Sequence, residues 1–257
     1  MSDMPPAPRQ LPLEWPVDTR FEAEDFLVGP SNEQAFAMLA NWPDWPDPLL
    51  RLVGPEGAGK THLATIWATR SGARIVPVDM VTADTVEELA AHGVIVIEDA
   101  DTGTRDEHAL FHLVNAVRRK GLSGGASMLV TARTAPEDWG LATPDLLSRM
   151  RLSPFVATGA PDDALLRAVL VKLFTDRQLA VDISVVEALA RRMERSFAAA
   201  RALVAVLDRE SLSDGRRITR SFALAVLDRW EAAGEETGAA EPGAVEILGQ
   251  DADESPT

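Results

Sequence analysis

Leu49-Leu50-Arg51-Leu52-Val53-Gly54-Pro55-Glu56-Gly57-Ala58-Gly59-Lys60-Thr61-His62-Leu63 is the stretch that decides the fold. Its first five residues are apolar at every position but Arg51 and read as a buried strand. The next eight fit G-x-x-x-x-G-K-[ST], and His62 to Ala68 continue as a helix. A glycine-rich turn between a strand and a helix lets backbone N–H groups point at phosphate oxygens, and the helix N-terminus adds its partial positive charge. Lys60 is then placed to reach β- and γ-phosphates, and the Thr61 hydroxyl to ligate Mg²⁺. The stretch predicts a phosphate-binding loop built from Gly54, Pro55, Gly57, Ala58, Gly59, Lys60 and Thr61, with His62 beside it.

Working outward, more strands alternate with helical segments. Arg74 to Val78 ends at Asp79, and Val94-Ile95-Val96-Ile97 is followed by Glu98-Asp99. Four β-branched residues in a row suggest a strand buried on both faces, as in a parallel sheet. Acids at its carboxyl end would face the nucleotide, one holding Mg²⁺ directly or through water, the other orienting an attacking water; the alternative is an acidic loop. Asp106 to Lys120 reads as a helix with its apolar stripe at 109, 110, 113, 114 and 117. Ser127 to Thr131 is a fourth strand. The expected fold class is α/β, a parallel-sheet base with a small all-helical lid. In the lid, Pro161 opens a helix to about 177, Asp182 caps another to about 194, and further helices cover about 198–211 and 219–230.

Composition narrows the function classes. The 257 residues carry a net charge of −15, which argues against strong direct binding to DNA phosphates. There is no cysteine, so disulfides, thiolate metal sites and cysteine nucleophiles are excluded. No apolar run is long enough to span a membrane, and the N-terminus lacks a secretory pattern, so a cytoplasmic protein is expected. His108 and His112 stand four apart on a helix without an evident third ligand, and read as one face of that helix. Residues 231 to 257 hold eight acids and neither Lys nor Arg. The expected organisation is a flexible segment over 1–20, a base over 21–158, a lid over 159–231 and a disordered acidic tail over 232–257.

Several segments together resemble the AAA+ portion of the bacterial replication initiator DnaA and its relatives. Phe26-Leu27-Val28-Gly29-Pro30-Ser31-Asn32 is similar to the entry segment that lies near the adenine in that family, which implies nucleotide contacts for Val28 and Gly29. Gly54 to Leu63 resembles its P-loop, His62 included. Thr131 falls at the strand end where AAA+ ATPases carry sensor 1, although a strand-capping role explains it equally well. Leu147-Ser148-Arg149 resembles the box VII arginine finger, which acts in trans on a neighbour's ATP; without the resemblance Arg149 reads as a surface charge, and Arg151 lies close by.

The chain passes Trp230 into acidic sequence where the initiators continue into a helix-turn-helix domain. This architecture resembles the Hda family, DnaA-related AAA+ regulators that inactivate the initiator. Arg9-Gln10-Leu11-Pro12-Leu13-Glu14-Trp15 is similar to the peptides with which that family docks on the DNA polymerase III sliding clamp (β subunit), with Gln10, Leu11, Leu13 and Trp15 as anchors. The resemblance implies ADP (or ATP) and Mg²⁺ as cofactors, DnaA and the clamp as partners, and inhibition of DNA replication as the outcome; a homodimer is one assembly it allows. Its own ATP turnover is expected to be weak or absent. Two departures bear on this. Glu98 stands where the family has Asp, and Ser196-Phe197-Ala198-Ala199 puts alanine where a sensor 2 arginine is expected, with Arg195 as the candidate substitute. An ATP-dependent helicase loader and a non-catalytic nucleotide-gated adaptor are the alternative readings.

Overall fold

The computed structural model describes residues 26–121 and 123–238. Gln10, Leu11, Leu13 and Trp15 lie outside the described residues, as does the chain beyond Gly238.

Strands β1 (Leu49–Val53), β2 (Arg74–Pro77), β3 (Val94–Glu98), β4 (Ser127–Ala132) and β5 (Phe155–Ala157) form one parallel sheet in the order β2-β3-β4-β1-β5. β4 is clasped between β3 and β1, with Val94 opposite Ser127 and Leu49 opposite Met128. Successive side chains alternate between the two faces. Leu50, Leu52, Val96 and Leu129 pack with α1 (Glu33–Ala40) and α2 (Lys60–Ser71) on one side. Ile95, Ile97, Met128 and Val130 pack on the other, under α3 (Val86–His92), α4 (Glu107–Gly121) and α5 (Pro144–Leu152). Both faces are covered, which is why β3 reads as an unbroken apolar run. α4 buries Ala109, Leu110, Leu113, Val114 and Val117, the stripe that its periodicity predicts. β5 is too short and too exposed to stand out as a strand in the sequence.

Helices α6 (Asp163–Asp176), α7 (Ile183–Arg192), α8 (Phe197–Asp214) and α9 (Arg220–Gly238) enclose a second core around Leu170, Phe174, Leu189, Leu203, Leu207 and Leu227. α6 is capped by Asp162, whose carboxylate accepts the Leu165 N–H at 2.7 Å, so it begins after Pro161 rather than on it. The Asp182 cap is found as expected, accepting from Ser184 at 2.8 Å. α9 departs from expectation. It runs past Trp230 to Gly238, into the stretch read as disordered, because Glu231-Ala232-Ala233 and Glu235-Glu236 are good helix formers with no proline among them. Among the described residues no helix is long and apolar enough to cross a membrane.

Candidate functional site

The loop between β1 and α2 has the conformation its glycines permit. Gly57 and Gly59 sit at φ +71° and +85°, in the left-handed region that side chains avoid. Gly54 is tied to β4 by its N–H to Ala132 O at 3.1 Å, and it lies against the Thr158 carbonyl so closely that a Cβ would come within 2.2 Å. The Ala58 carbonyl accepts the Thr158 hydroxyl at 3.1 Å. Lys60 is buried, and its ammonium donates to Gly54 O at 2.7 Å and Pro55 O at 2.9 Å. Burial pulls its pKa below the ordinary value, with Asp99 the strongest compensating charge. A buried ammonium resting on two carbonyls of its own loop suits a phosphate, which would replace neutral acceptors with a charged one.

The acids after β3 lie opposite the loop. Asp99 has φ +53°, an uncommon conformation for a residue with a Cβ. Two bonds hold it there: its N–H donates to the Thr131 hydroxyl at 2.9 Å, and the Ala100 N–H donates to Thr131 O at 2.9 Å. Thr131 is 1% exposed and is not among the residues lining the cavity; its hydroxyl accepts the Asp99 N–H. Burial holds the Glu98 carboxyl above its ordinary value, against the pull of the Thr61 hydroxyl bonded to it. One carboxylate oxygen, Oε1, is buried without a hydrogen-bond partner. An orphaned carboxylate oxygen beside a threonine hydroxyl and a second carboxylate is an oxygen donor set that fits Mg²⁺. Thr61, Glu98 and Asp99 would hold it, and the ion would neutralise phosphate charge there.

The lid closes the site. The Phe197 N–H donates to Gly57 O at 2.9 Å, and a Cβ on Gly57 would lie 2.0 Å from Ser196 Oγ. The resulting cavity of about 350 Å³ is lined by Gly57, Gly59, Lys60, Thr61, His62 and Asp99 from the base, joined by Glu56 and Arg133, and by Phe197, Ala198 and Arg201 from α8. This corrects the expected lid arginine. Arg195 is exposed and paired with Asp163 at 2.7 Å, away from the cavity. Ser196 caps α8, which puts Ala198 at the cavity and Ala199 in the helical core; Arg201, three residues after Ala198, shares its face. Burial lowers the Arg201 pKa. Arg133 and Glu56 also went unsingled in the sequence, although Glu56 is inside the motif and Arg133 follows a strand that ends at the site.

The remaining candidates lie elsewhere. Val28 and Gly29 are outside the cavity; Gly29 is fixed by its N–H to Asn32 Oδ1 at 2.8 Å and packs on Leu165 of α6. Phe26 connects that entry segment to the site, stacking on Phe36 and meeting the His62 ring edge-on at 5.1 Å. Arg149, on α5, places its guanidinium over Phe111 at 5.3 Å and is not among the cavity residues. Arg151 pairs with Glu137 at 2.7 Å. His108 and His112 have ring centroids 4.6 Å apart, and no cluster of three metal-binding side chains occurs among the described residues.

Comparison with known proteins agrees with this fold. The solved domain III of DnaA from Thermotoga maritima superposes with TM-score 0.69 at 18% identity, over 84% of this chain and 98% of that one. The Thermotoga maritima RuvB Holliday junction branch migration motor does so with TM-score 0.56 at 18% identity, over 70% of this chain and 61% of that one. The fold is that of an AAA+ module. A DnaA bound to AMPPCP and single-stranded DNA also matches, with TM-score 0.62 at 17% identity, over 85% of this chain and 70% of that one. In sequence, DnaA of Caulobacter vibrioides (strain NA1000 / CB15N) is 33% identical over 132 residues, 41% of this chain and 26% of that initiator. The chain thus spans about a quarter of the length of the curated relatives it matches. No protein-family model matches it. An initiator and a branch-migration motor share the fold, so the fold does not choose between their activities.

Proposed function

We propose that this chain is a negative regulator of replication initiation of the Hda kind. It holds ADP, or ATP, with Mg²⁺ in its own P-loop, docks on the DNA polymerase III sliding clamp through Gln10, Leu11, Leu13 and Trp15, and stimulates ATP hydrolysis by DnaA with Arg149. Its base and lid correspond to residues 21–158 and 159–231, and it works in the bacterial cytoplasm. Lys60 and the loop N–H groups would hold the phosphates, Thr61, Glu98 and Asp99 the metal ion, and Phe26, Val28, Gly29 and His62 the base side of the nucleotide. The nucleotide of a related structure, AMPPCP on a DnaA, supports that use of the loop.

The observation that carries the reading is the position of Arg149. Its guanidinium is held over Phe111, outside the cavity that Lys60 and Asp99 line. An arginine so placed has no phosphate in its own chain to serve, and the aromatic ring supports its guanidinium. The expected slow turnover rests on two departures from the family pattern, Glu98 in place of Asp and alanine at position 199 in place of the sensor 2 arginine.

The test is hydrolysis of DnaA-bound ATP with and without clamp loaded on DNA. The reading expects stimulation only when clamp and this protein are both present, and its loss with Gln10→Ala. Stimulation that ignores the clamp would remove the docking step; its absence under all conditions would remove the assignment.

A further inference from the structure

We propose that Arg133 and Glu56 form a charge switch that lets the cavity distinguish a nucleoside triphosphate from a diphosphate. The inference rests on reading the cavity as a nucleotide site, and needs neither DnaA nor the clamp.

The backbone puts Arg133 where a terminal phosphate would lie. β4 is between the strand that leads into the P-loop and the strand that ends at the acids. Its last residue, Ala132, accepts the Gly54 N–H at 3.1 Å. The next two N–H groups, of Arg133 and Thr134, both donate to Asp101 Oδ2, at 2.7 and 3.0 Å. Arg133 is therefore anchored to the P-loop on one side and to the acidic turn on the other. In P-loop sites the metal that joins the β- and γ-phosphates sits between the loop hydroxyl and the acids, so this is the γ-phosphate end.

The guanidinium of Arg133 is engaged by the loop itself. Its Nη1 is 2.9 Å from the Glu56 carboxylate, and both residues line the cavity. Glu56 lies at the second variable position of the motif, where any residue is tolerated. Its carboxylate is an internal anion facing the one arginine that the base contributes to the cavity among the described residues. The two side chains are 44% and 75% exposed, and exposed pairs hold weakly because water and salt screen them. A phosphoryl group between Lys60 and Arg133 carries more charge than the carboxylate and offers arginine a bidentate partner. A triphosphate takes Arg133 from Glu56. A diphosphate ends short of it and leaves the pair intact.

The experiment measures affinity for ADP and for AMPPCP, each with Mg²⁺, by calorimetric titration of the full chain. Arg133→Gln should weaken AMPPCP by about tenfold and ADP by less than about twofold. Glu56→Gln should do the reverse, tightening AMPPCP by about threefold with ADP nearly unchanged. Glu56 is exposed, so that variant tests the switch even if Arg133→Gln does not fold: an unchanged AMPPCP-to-ADP ratio in Glu56→Gln overturns it. Equal shifts for both nucleotides in Arg133→Gln overturn it as well. Lys60→Ala separates the two levels, since wild-type binding of both nucleotides there would instead sink the nucleotide site itself.

Discussion

The P-loop cavity and the α4–α5 face use arginine in opposite ways. In the cavity, Arg133 and Arg201 converge with Lys60 on a space walled by the loop and the start of α8. On the other face, Arg149 lies outside that lining and rests on Phe111. The first arrangement gathers positive charge around an anion the chain keeps. The second presents one positive group that nothing in the same cavity needs. Under the proposed function the two sites answer to different molecules, and that contrast can be broken from either side.

The largest effect is expected at Lys60. Lys60→Ala should weaken nucleotide binding by about 100-fold or more, since it removes the ammonium that spans the β- and γ-phosphates. Arg149→Ala, measured by the same titration, should change affinity by less than about twofold. A comparable loss in both would erase the distinction.

Next is the seat of the lid. Gly57→Ala adds a Cβ at φ +71° and 2.0 Å from Ser196 Oγ. It should cost about 2 kcal/mol in denaturant unfolding and loosen α8 from the loop. Native stability in that variant would mean the loop and α8 are not held as described.

Thr131→Val comes third. It takes away the acceptor of the Asp99 N–H, with an expected loss of about 1–2 kcal/mol, and it lets Asp99 relax from φ +53°. Nucleotide affinity should fall with it through the misplaced carboxylate rather than through a lost phosphate contact. Thr131→Ser, which keeps the hydroxyl, should recover most of the loss.

The smallest effect is a pH dependence at Glu98. Burial raises its folded pKa above the ordinary 4.5. The stability this contributes is full below the unfolded value and is lost as pH rises through the raised folded value. Glu98→Gln cannot ionise and should escape that loss. Without nucleotide it should melt slightly higher than wild type at pH 7, with the difference shrinking toward pH 4. The Mg²⁺-dependent part of its nucleotide affinity should fall at the same time. A variant less stable than wild type at pH 7 would contradict the burial argument.

Sequence reading reached the loop and the sheet because their signals are local. Gly57 and Gly59 must be glycines for backbone reasons, and the β3 apolar run records burial on both faces. The lid arginine was not legible for a physical reason. Which side of α8 faces the cavity depends on how Phe197 bonds to Gly57 and on the turn that the Ser196 cap begins. Neither is visible in a Ser-x-x-Arg pattern, which ends on Ala199 here; the substitute weighed for it, Arg195, is paired with Asp163. Arg133 was hidden in the same way. Its place beside the P-loop follows from β4 lying next to β1, a neighbour relation between residues far apart in the chain. Thr131, open in the sequence between sensor 1 and a strand-capping role, accepts the Asp99 N–H. The extension of α9 beyond Trp230 shows that acidic composition alone does not end a helix built from Ala and Glu.

The central claim is that this chain keeps one nucleotide and acts on another. The most direct measurement is the rate of DnaA-bound ATP hydrolysis with clamp-loaded DNA, comparing wild type with Arg149→Ala. The account predicts that Arg149→Ala binds ADP and clamp as wild type does, yet lowers the stimulated rate by about 10³-fold or to the unstimulated level. Full stimulation by Arg149→Ala, with its nucleotide and clamp binding intact, would contradict it.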